Sequence, residues 1–112
     1  MNTIRNKVTL IGNLGNNPEI KTFENNKKLV RLSLATHENY KNQKGEKVEE
    51  TTWHNVFAWG PLADISERLL KKGSEVCVEG KLVNKSWTDK EGNKRYSTEV
   101  QIHELLILGG KA

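Results

Sequence analysis

A change of period restricts this chain more than any other feature. Over residues 7–59 apolar side chains recur at every second position, in short runs broken by Gly and Asn. Over residues 61–73 they recur at helical spacing, and from residue 75 the period of two returns. Val8, Leu10, Gly12 and Leu14 share one face of the first run. Gly12, inside that run, marks a bulge or a close approach of another backbone. A short extended piece at residues 19–23 follows the turn Gly15-Asn16-Asn17-Pro18. The second run carries Val30, Leu32 and Leu34 on one face. The polar segment 38–47 reads as a long hairpin connection turning near Gly45, and the third run begins near Val48. Leu62, Ile65 and Leu69 then form one helical stripe. Pro61 fits the first turn, Asp64 lies near the positive end, Lys71 and Lys72 lie near the negative end, and Gly73 fits a stop. The fourth run has Val76, Val78, Gly80 and Leu82 on one face; after a turn at residues 89–93 the fifth has Tyr96, Thr98, Val100 and Ile102.

The order is therefore three strands, one helix and two strands. It predicts an all-β OB-fold: a five-stranded Greek-key barrel with one α-helix between strands 3 and 4. A mixed sheet with the helix on one face is the other architecture compatible with the order. The length of 112 residues suits one domain spanning residues 1–112, with one modest core and no linker. The inward faces that fill it are Val8, Leu10, Val30, Leu32, Leu34, Val56, Ala58, Val76, Val78, Leu82, Val100 and Ile102.

That core leaves one strand unexplained. In 52-TWHNVFAWG-60, Val56 and Ala58 face inward, so Trp53, Asn55, Phe57 and Trp59 must face outward. Bare indole is unfavourable in water, at about 25 cal/mol per Å² of apolar area, so a subunit or a flat apolar ligand should cover it. Phe57 fits a core or a subunit interface equally well. The fourth run sets Lys81 and Lys85 beside Trp87 on its outward face, and the hairpins add Tyr40, Lys41, Lys44, Lys47, Lys90, Lys94 and Arg95. Cations interleaved with aromatics suit a polyanion carrying planar bases: bases stack on the rings and phosphates meet the cations. The stacking candidates are Tyr40, Trp53, Trp59 and Trp87; the phosphate candidates are Lys41, Lys44, Lys81, Lys85, Lys94 and Arg95. Single strands are favoured over duplex, whose base faces are hidden. A net charge of +4 agrees with such a partner without requiring it.

Other chemistries find little support. His37, His54 and His103 are scattered without metal-ligand spacing, the only aspartates are Asp64 and Asp89, and no carboxylate cluster resembles a nuclease site. His54 shares the parity of Val56 and is expected to be packed and hydrogen-bonded. No enzyme activity, cofactor or metal is expected. The lone Cys77 excludes an internal disulfide, and no apolar run is long enough to span a bilayer. A cytoplasmic protein is expected, with no membrane partner. The competing reading is an accessory module of the primosome type that uses its aromatic face to dock proteins.

Several stretches resemble the bacterial single-stranded DNA-binding protein family. They are Asn6-Lys7-Val8, Ile11-Gly12-Asn13-Leu14-Gly15, Pro18-Glu19, Leu34-Ala35-Thr36, Thr52-Trp53-His54, Lys72-Gly73-Ser74, Val78-Glu79-Gly80, Trp87-Thr88-Asp89 and Tyr96-Ser97-Thr98-Glu99, in family order. The resemblance implies an OB-fold subunit of a homotetramer, wrapped by single-stranded DNA during replication, recombination and repair at the nucleoid. It implies that Trp53 and Trp87 stack on bases. Tyr40 stands where the family commonly has tryptophan, and Trp59 where it commonly has phenylalanine. It also implies that the edge from Lys7 to Ile11 lies in a subunit interface. The family's acidic C-terminal tip, which recruits replication and repair enzymes, has no counterpart in Gly109-Gly110-Lys111-Ala112, so tail-mediated recruitment is not expected of this chain.

Overall fold

A computed structural model describes residues 3–109. Residues 110–112, part of the chain end discussed above, lie outside the described residues. A turn of 3-10 helix at Thr3–Arg5 precedes six strands and one helix: β1 (Val8–Leu14), β2 (Glu19–Thr22), β3 (Lys28–Lys41), β4 (Lys47–Trp59), α1 (Pro61–Leu69), β5 (Glu75–Thr88) and β6 (Lys94–Gly109). The expected short extended piece is β2, which pairs with β3 from Glu19 opposite Arg31 to Thr22 opposite Lys28. The remaining five strands form a ring in the order β1-β5-β6-β4-β3. Asn13 opposite Ala35 and Leu14 opposite Leu34 join β1 back to β3 and close it. A parallel contact of β4 with β6, Val56 beside Val100, completes the Greek-key path. The helix follows the third strand of this ring, as the order of periods predicts.

Closure depends on Gly12. A Cβ built there would lie 2.1 Å from the Ala35 carbonyl oxygen, so only glycine lets β1 cross β3 this closely. Val30, Leu32, Leu34, Val56, Ala58, Val76, Val78, Val100 and Ile102 all lie in the buried core, with Val8 and Leu10 packed at its margin. Leu82 departs from expectation, being 48% exposed. Its partner in register, Val100, is buried, but β1 pairs with β5 only as far as Val8 opposite Gly80, so Leu82 lies past the end of β1, where β5 and β6 begin to run on as a two-stranded arm. The Asn6 amide bonds both the N–H and the carbonyl of Leu82 at 3.0 and 3.1 Å, which ties the root of that arm to the N-terminal segment.

The helix turns a face slightly rotated from the expected stripe toward the barrel: Leu62 packs at the core margin and Ile65 is half-buried, but Leu69 is exposed, while Ala63, Ser66 and, just past the helix end, Leu70 are buried. Small residues let the helix lie close over the barrel end, and the Ser66 hydroxyl is satisfied by donating to the Leu62 carbonyl at 2.8 Å. The helix stops at Leu69, and Gly73, at φ 92°, makes the turn into β5 instead of capping it. Lys28, at the start of β3, pairs with Asp64 at 3.0 Å and Glu67 at 2.7 Å. These two carboxylates raise the Lys28 pKa.

Segment 38–47 is also more regular than its polarity suggests. β3 and β4 stay paired as far as Lys41 opposite Lys47, leaving only a tight turn in which the Asn42 carboxamide oxygen accepts the N–H groups of Lys44 and Glu46. What reads as a loop is a second ribbon arm, matching the β5–β6 arm. Among the described residues no helix is long and apolar enough to cross a membrane.

Candidate nucleic-acid interface

The barrel's outer surface can be followed strand by strand through the registers. Trp53, Asn55, Phe57 and Trp59 of β4 lie opposite Ala35, Ser33, Arg31 and Leu29 of β3. Phe57 lies beside Gln101 of β6. Gln101, Ser97 and Arg95 in turn lie opposite Lys81, Lys85 and Trp87 of β5. Residues directly opposite share a face, so these strands build one continuous outer surface. It brings together Trp53, Trp59, Trp87, Lys81, Lys85 and Arg95. Lys41 and Lys47, opposite one another on the same side of the first arm, extend it with an unfavourable like-charge pair that an anion would relieve.

Trp53 is 60% exposed, Trp87 50% and Trp59 39%. The Trp53 indole lies against Gly15, where a Cβ would stand 2.3 Å from its Cζ3 atom. Trp59 packs on Phe23, with ring centroids 5.6 Å apart, and Lys27 sits 5.8 Å from the Trp59 ring. Lys21 sits 5.3 Å from the Phe23 ring. Phe23, Lys21 and Lys27 therefore enlarge the site beyond the residues that alternation alone picks out. Lys21 stands on β2, opposite Leu29, and Phe23 and Lys27 in the turn that joins β2 to β3, which brings all three to the Trp59 end of the face.

Phe57 is buried, as a core position would be, but outside the barrel interior. It is on the outer face yet only 3% exposed, because long polar side chains roof it over. Lys85 Nζ stands 4.1 Å from its ring centroid, a cation–π distance. Lys85 and Arg31 both reach the Glu99 carboxylate, at 3.5 and 3.2 Å. A shallow groove of about 240 Å³ opens next to Arg31, lined also by Asn16, Glu19, Ser33 and Asn55.

Three candidate residues, Tyr40, Lys44 and Lys94, lie elsewhere. Tyr40 is opposite Val48, and alternation puts it on the far side of the first arm from Trp53. It is 44% exposed, and its hydroxyl donates to the Glu50 carboxylate at 2.8 Å. That bond holds the phenol pKa above its ordinary value. Lys94, opposite Thr88, lies on the far side of the second arm from Trp87. Lys44 sits in the turn of the first arm, exposed. Arg95 is on the face but engaged, its Nε 2.9 Å from Asp89. His54 is half-buried and bonded to the Thr36 hydroxyl at 3.0 Å, as its parity predicts. Among the described residues no group of three or more His, Cys, Asp or Glu side chains is placed to hold a metal ion.

Comparison with known proteins agrees with this geometry. The model of the Single-strand binding protein family matches residues 5–108. A Xylella fastidiosa (strain 9a5c) protein named Single-stranded DNA-binding protein 1 is 48% identical over 107 residues, covering 95% of this chain and 79% of the relative. A protein of the same name from Chlorobaculum tepidum is 46% identical over 107 residues, covering 95% and 66%. Among solved structures, a Plasmodium falciparum SSB complex with ssDNA superimposes with TM-score 0.87 at 29% identity, over 93% of this chain and 95% of that one. A deletion mutant of the single-stranded DNA binding protein from Thermus aquaticus gives 0.82 at 29% identity, over 95% and 51%. Sequence, barrel and aromatic face lead to one conclusion: the chain belongs to the single-strand binding protein family.

Proposed function

We propose that this chain binds single-stranded DNA with little sequence preference and protects it during DNA replication, recombination and repair. It is a binding protein and not an enzyme, as membership of its family entails. The observation that carries the reading is the exposure of Trp53, Trp59 and Trp87 among cations on one outer surface. Bases stack on these rings, and each stack contributes roughly 1–3 kcal/mol. Every base offers a π face, so the order of bases matters little. Lys41, Lys81, Lys85 and Arg95 meet phosphates on the same surface. Tyr40, Lys44 and Lys94 would engage a strand that passes around the arms, since they lie at the turn or on the far sides.

The working assembly is a homotetramer. Over residues 8–12 β1 pairs only with β5, which leaves its other backbone edge open for a second copy across the segment from Lys7 to Ile11. Ile11, Cys77 and Leu106 stand in register across β1, β5 and β6, forming an apolar row next to that edge. Single strands arise in the cytoplasm at the nucleoid, where such an assembly would act.

Titration with oligo(dT), followed by tryptophan fluorescence and by molar mass in solution, tests both statements. The expected result is strong quenching, an affinity that falls as salt rises with a log–log slope of about −0.7 per phosphate neutralised, and a four-chain mass. Trp53→Ala or Trp87→Ala should weaken binding by roughly 1–3 kcal/mol. Unchanged affinity in both variants would favour protein docking on this face instead.

A further inference from the structure

The centre of the DNA-facing surface holds a carboxylate, where a polyanion should least tolerate one. Glu99 is 8% exposed. Its Oε1 lies 3.2 Å from Arg31 Nη1 and 3.5 Å from Lys85 Nζ. Its Oε2 accepts the Ser97 hydroxyl at 3.3 Å. Lys85, so held, lies over the Phe57 ring. Both cations keep an open side, with 46% of the Arg31 side chain and 36% of the Lys85 side chain exposed.

We infer that Glu99 is a positioning residue that acts as a built-in stand-in for phosphate: it seats Arg31 and Lys85 over Phe57 and weakens the central phosphate contact of the bound strand. This inference rests on the reading of the face as a single-strand site. One carboxylate under two cations leaves the cluster a net charge of +1. Its two cations are thus pre-placed, without the ordering cost that long side chains otherwise carry into a complex. The same carboxylate repels the incoming phosphate and competes for both donors, so the strand is held less tightly than the cations alone would hold it. Arg31 joins the phosphate contacts on this view, although its place in an otherwise apolar run hides it in the sequence.

The test is Glu99→Gln, which keeps the shape and the acceptor for Ser97 but removes the charge. Affinity for oligo(dT) is measured across a salt series beside the unaltered protein. The expected result is roughly two- to tenfold tighter binding at low salt and a log–log slope steeper by about 0.7, one additional phosphate. Glu99→Asp should keep the original slope. In an Arg31→Gln, Lys85→Gln background the Glu99→Gln change should leave the slope unaltered, because no donors remain to be released. Thermal melting separates folding from binding. Equal or weaker binding of Glu99→Gln at an unchanged slope, with the fold intact, overturns the inference and leaves Glu99 a structural group. If the unaltered protein bound no oligo(dT), the functional reading itself would fail, which is a different outcome.

Discussion

Gly15→Ala separates the position of one indole from everything else in the molecule. A Cβ at residue 15 would lie 2.3 Å from Trp53 Cζ3 and 2.6 Å from Cη2. Ordinary carbon contacts begin near 3.5 Å, so the ring must move by more than about 1 Å. Cζ3 and Cη2 are at the far end of the side chain, and the ring is 60% exposed, so it can move without disturbing the core. Gly15 does not adopt a positive φ, and its N–H bond to the Ser33 carbonyl at 2.9 Å does not involve the added methyl. The fold should therefore survive with a melting temperature within a few degrees of the original, while the stacking surface shifts. A stack is worth roughly 1–3 kcal/mol, which bounds the loss at about 5- to 150-fold in affinity; a displaced ring keeps part of it, so about tenfold is expected. The assay is fluorescence titration with oligo(dT), with Trp53→Ala as the limit. In the Trp53→Ala background Gly15→Ala should change nothing, because it acts only through the ring. A loss of similar size in that background would refute the reasoning, as would unaltered affinity of Gly15→Ala alone.

Two further outcomes follow from other parts of the chain. Gly12→Ala would drive a methyl against the Ala35 carbonyl where the barrel closes, and backbone cannot yield as a side chain does; about 1–3 kcal/mol of stability should be lost, read as a lower denaturant midpoint at an unchanged m-value. An undiminished midpoint would mean that β1 and β3 can separate at no cost. Asp89 accepts the N–H groups of Asn93 and Glu91 and the Arg95 guanidinium, and the Asn93 bond, followed by Arg95, holds its carboxyl below the ordinary 3.8. A depressed folded pKa means that the turn's stabilisation is present above the ordinary value and is lost as pH falls through the depressed one. The Asn93 amide resonance should thus titrate with a midpoint below 3.8 and lose that step in Asp89→Asn, whereas a midpoint at or above 3.8 would contradict the turn geometry.

The parts of this molecule that were legible in advance are those governed by one strand's own alternation. Val56 and Ala58 inward with Trp53 and Trp59 outward needs no knowledge of neighbours, because a strand has only two faces. What alternation could not show depends on who lies alongside. Phe57 has the parity of an exposed ring, but its neighbours in register are Arg31 and Gln101, and Lys85 reaches over it. Tyr40 reads in the sequence as a loop aromatic that a hairpin adds to the face of Trp53. Counting through thirteen paired positions of β3 and β4 puts it on the other side, and that count requires knowing that the hairpin stays paired as far as Lys41. Leu82 obeys its parity, opposite buried Val100, and is still exposed because it lies past the last β1–β5 pair, Val8 opposite Gly80. The helix stripe misled for a related reason: Ala63 and Ser66 are buried because they are small, and hydrophobicity alone favours Leu69.

The alternation has a consequence for how this protein changes. β4 carries its core contribution on Val56 and Ala58 and its proposed stacking rings on Trp53 and Trp59, so the two tasks would fall on opposite faces of one backbone. Truncating an outward tryptophan removes no core contact, and a large cost in binding need not be a large cost in stability. Phe57 is the exception that joins the two faces. It is buried by the same Arg31 and Lys85 that present charge to the strand, so its removal would leave both cations unsupported and would weaken fold and binding together. Exchange of Trp53 or Trp59 for another ring should therefore leave stability nearly unchanged. Within the Phe57–Lys85–Glu99–Arg31 unit, by contrast, a change at one member alters how the others present their charge.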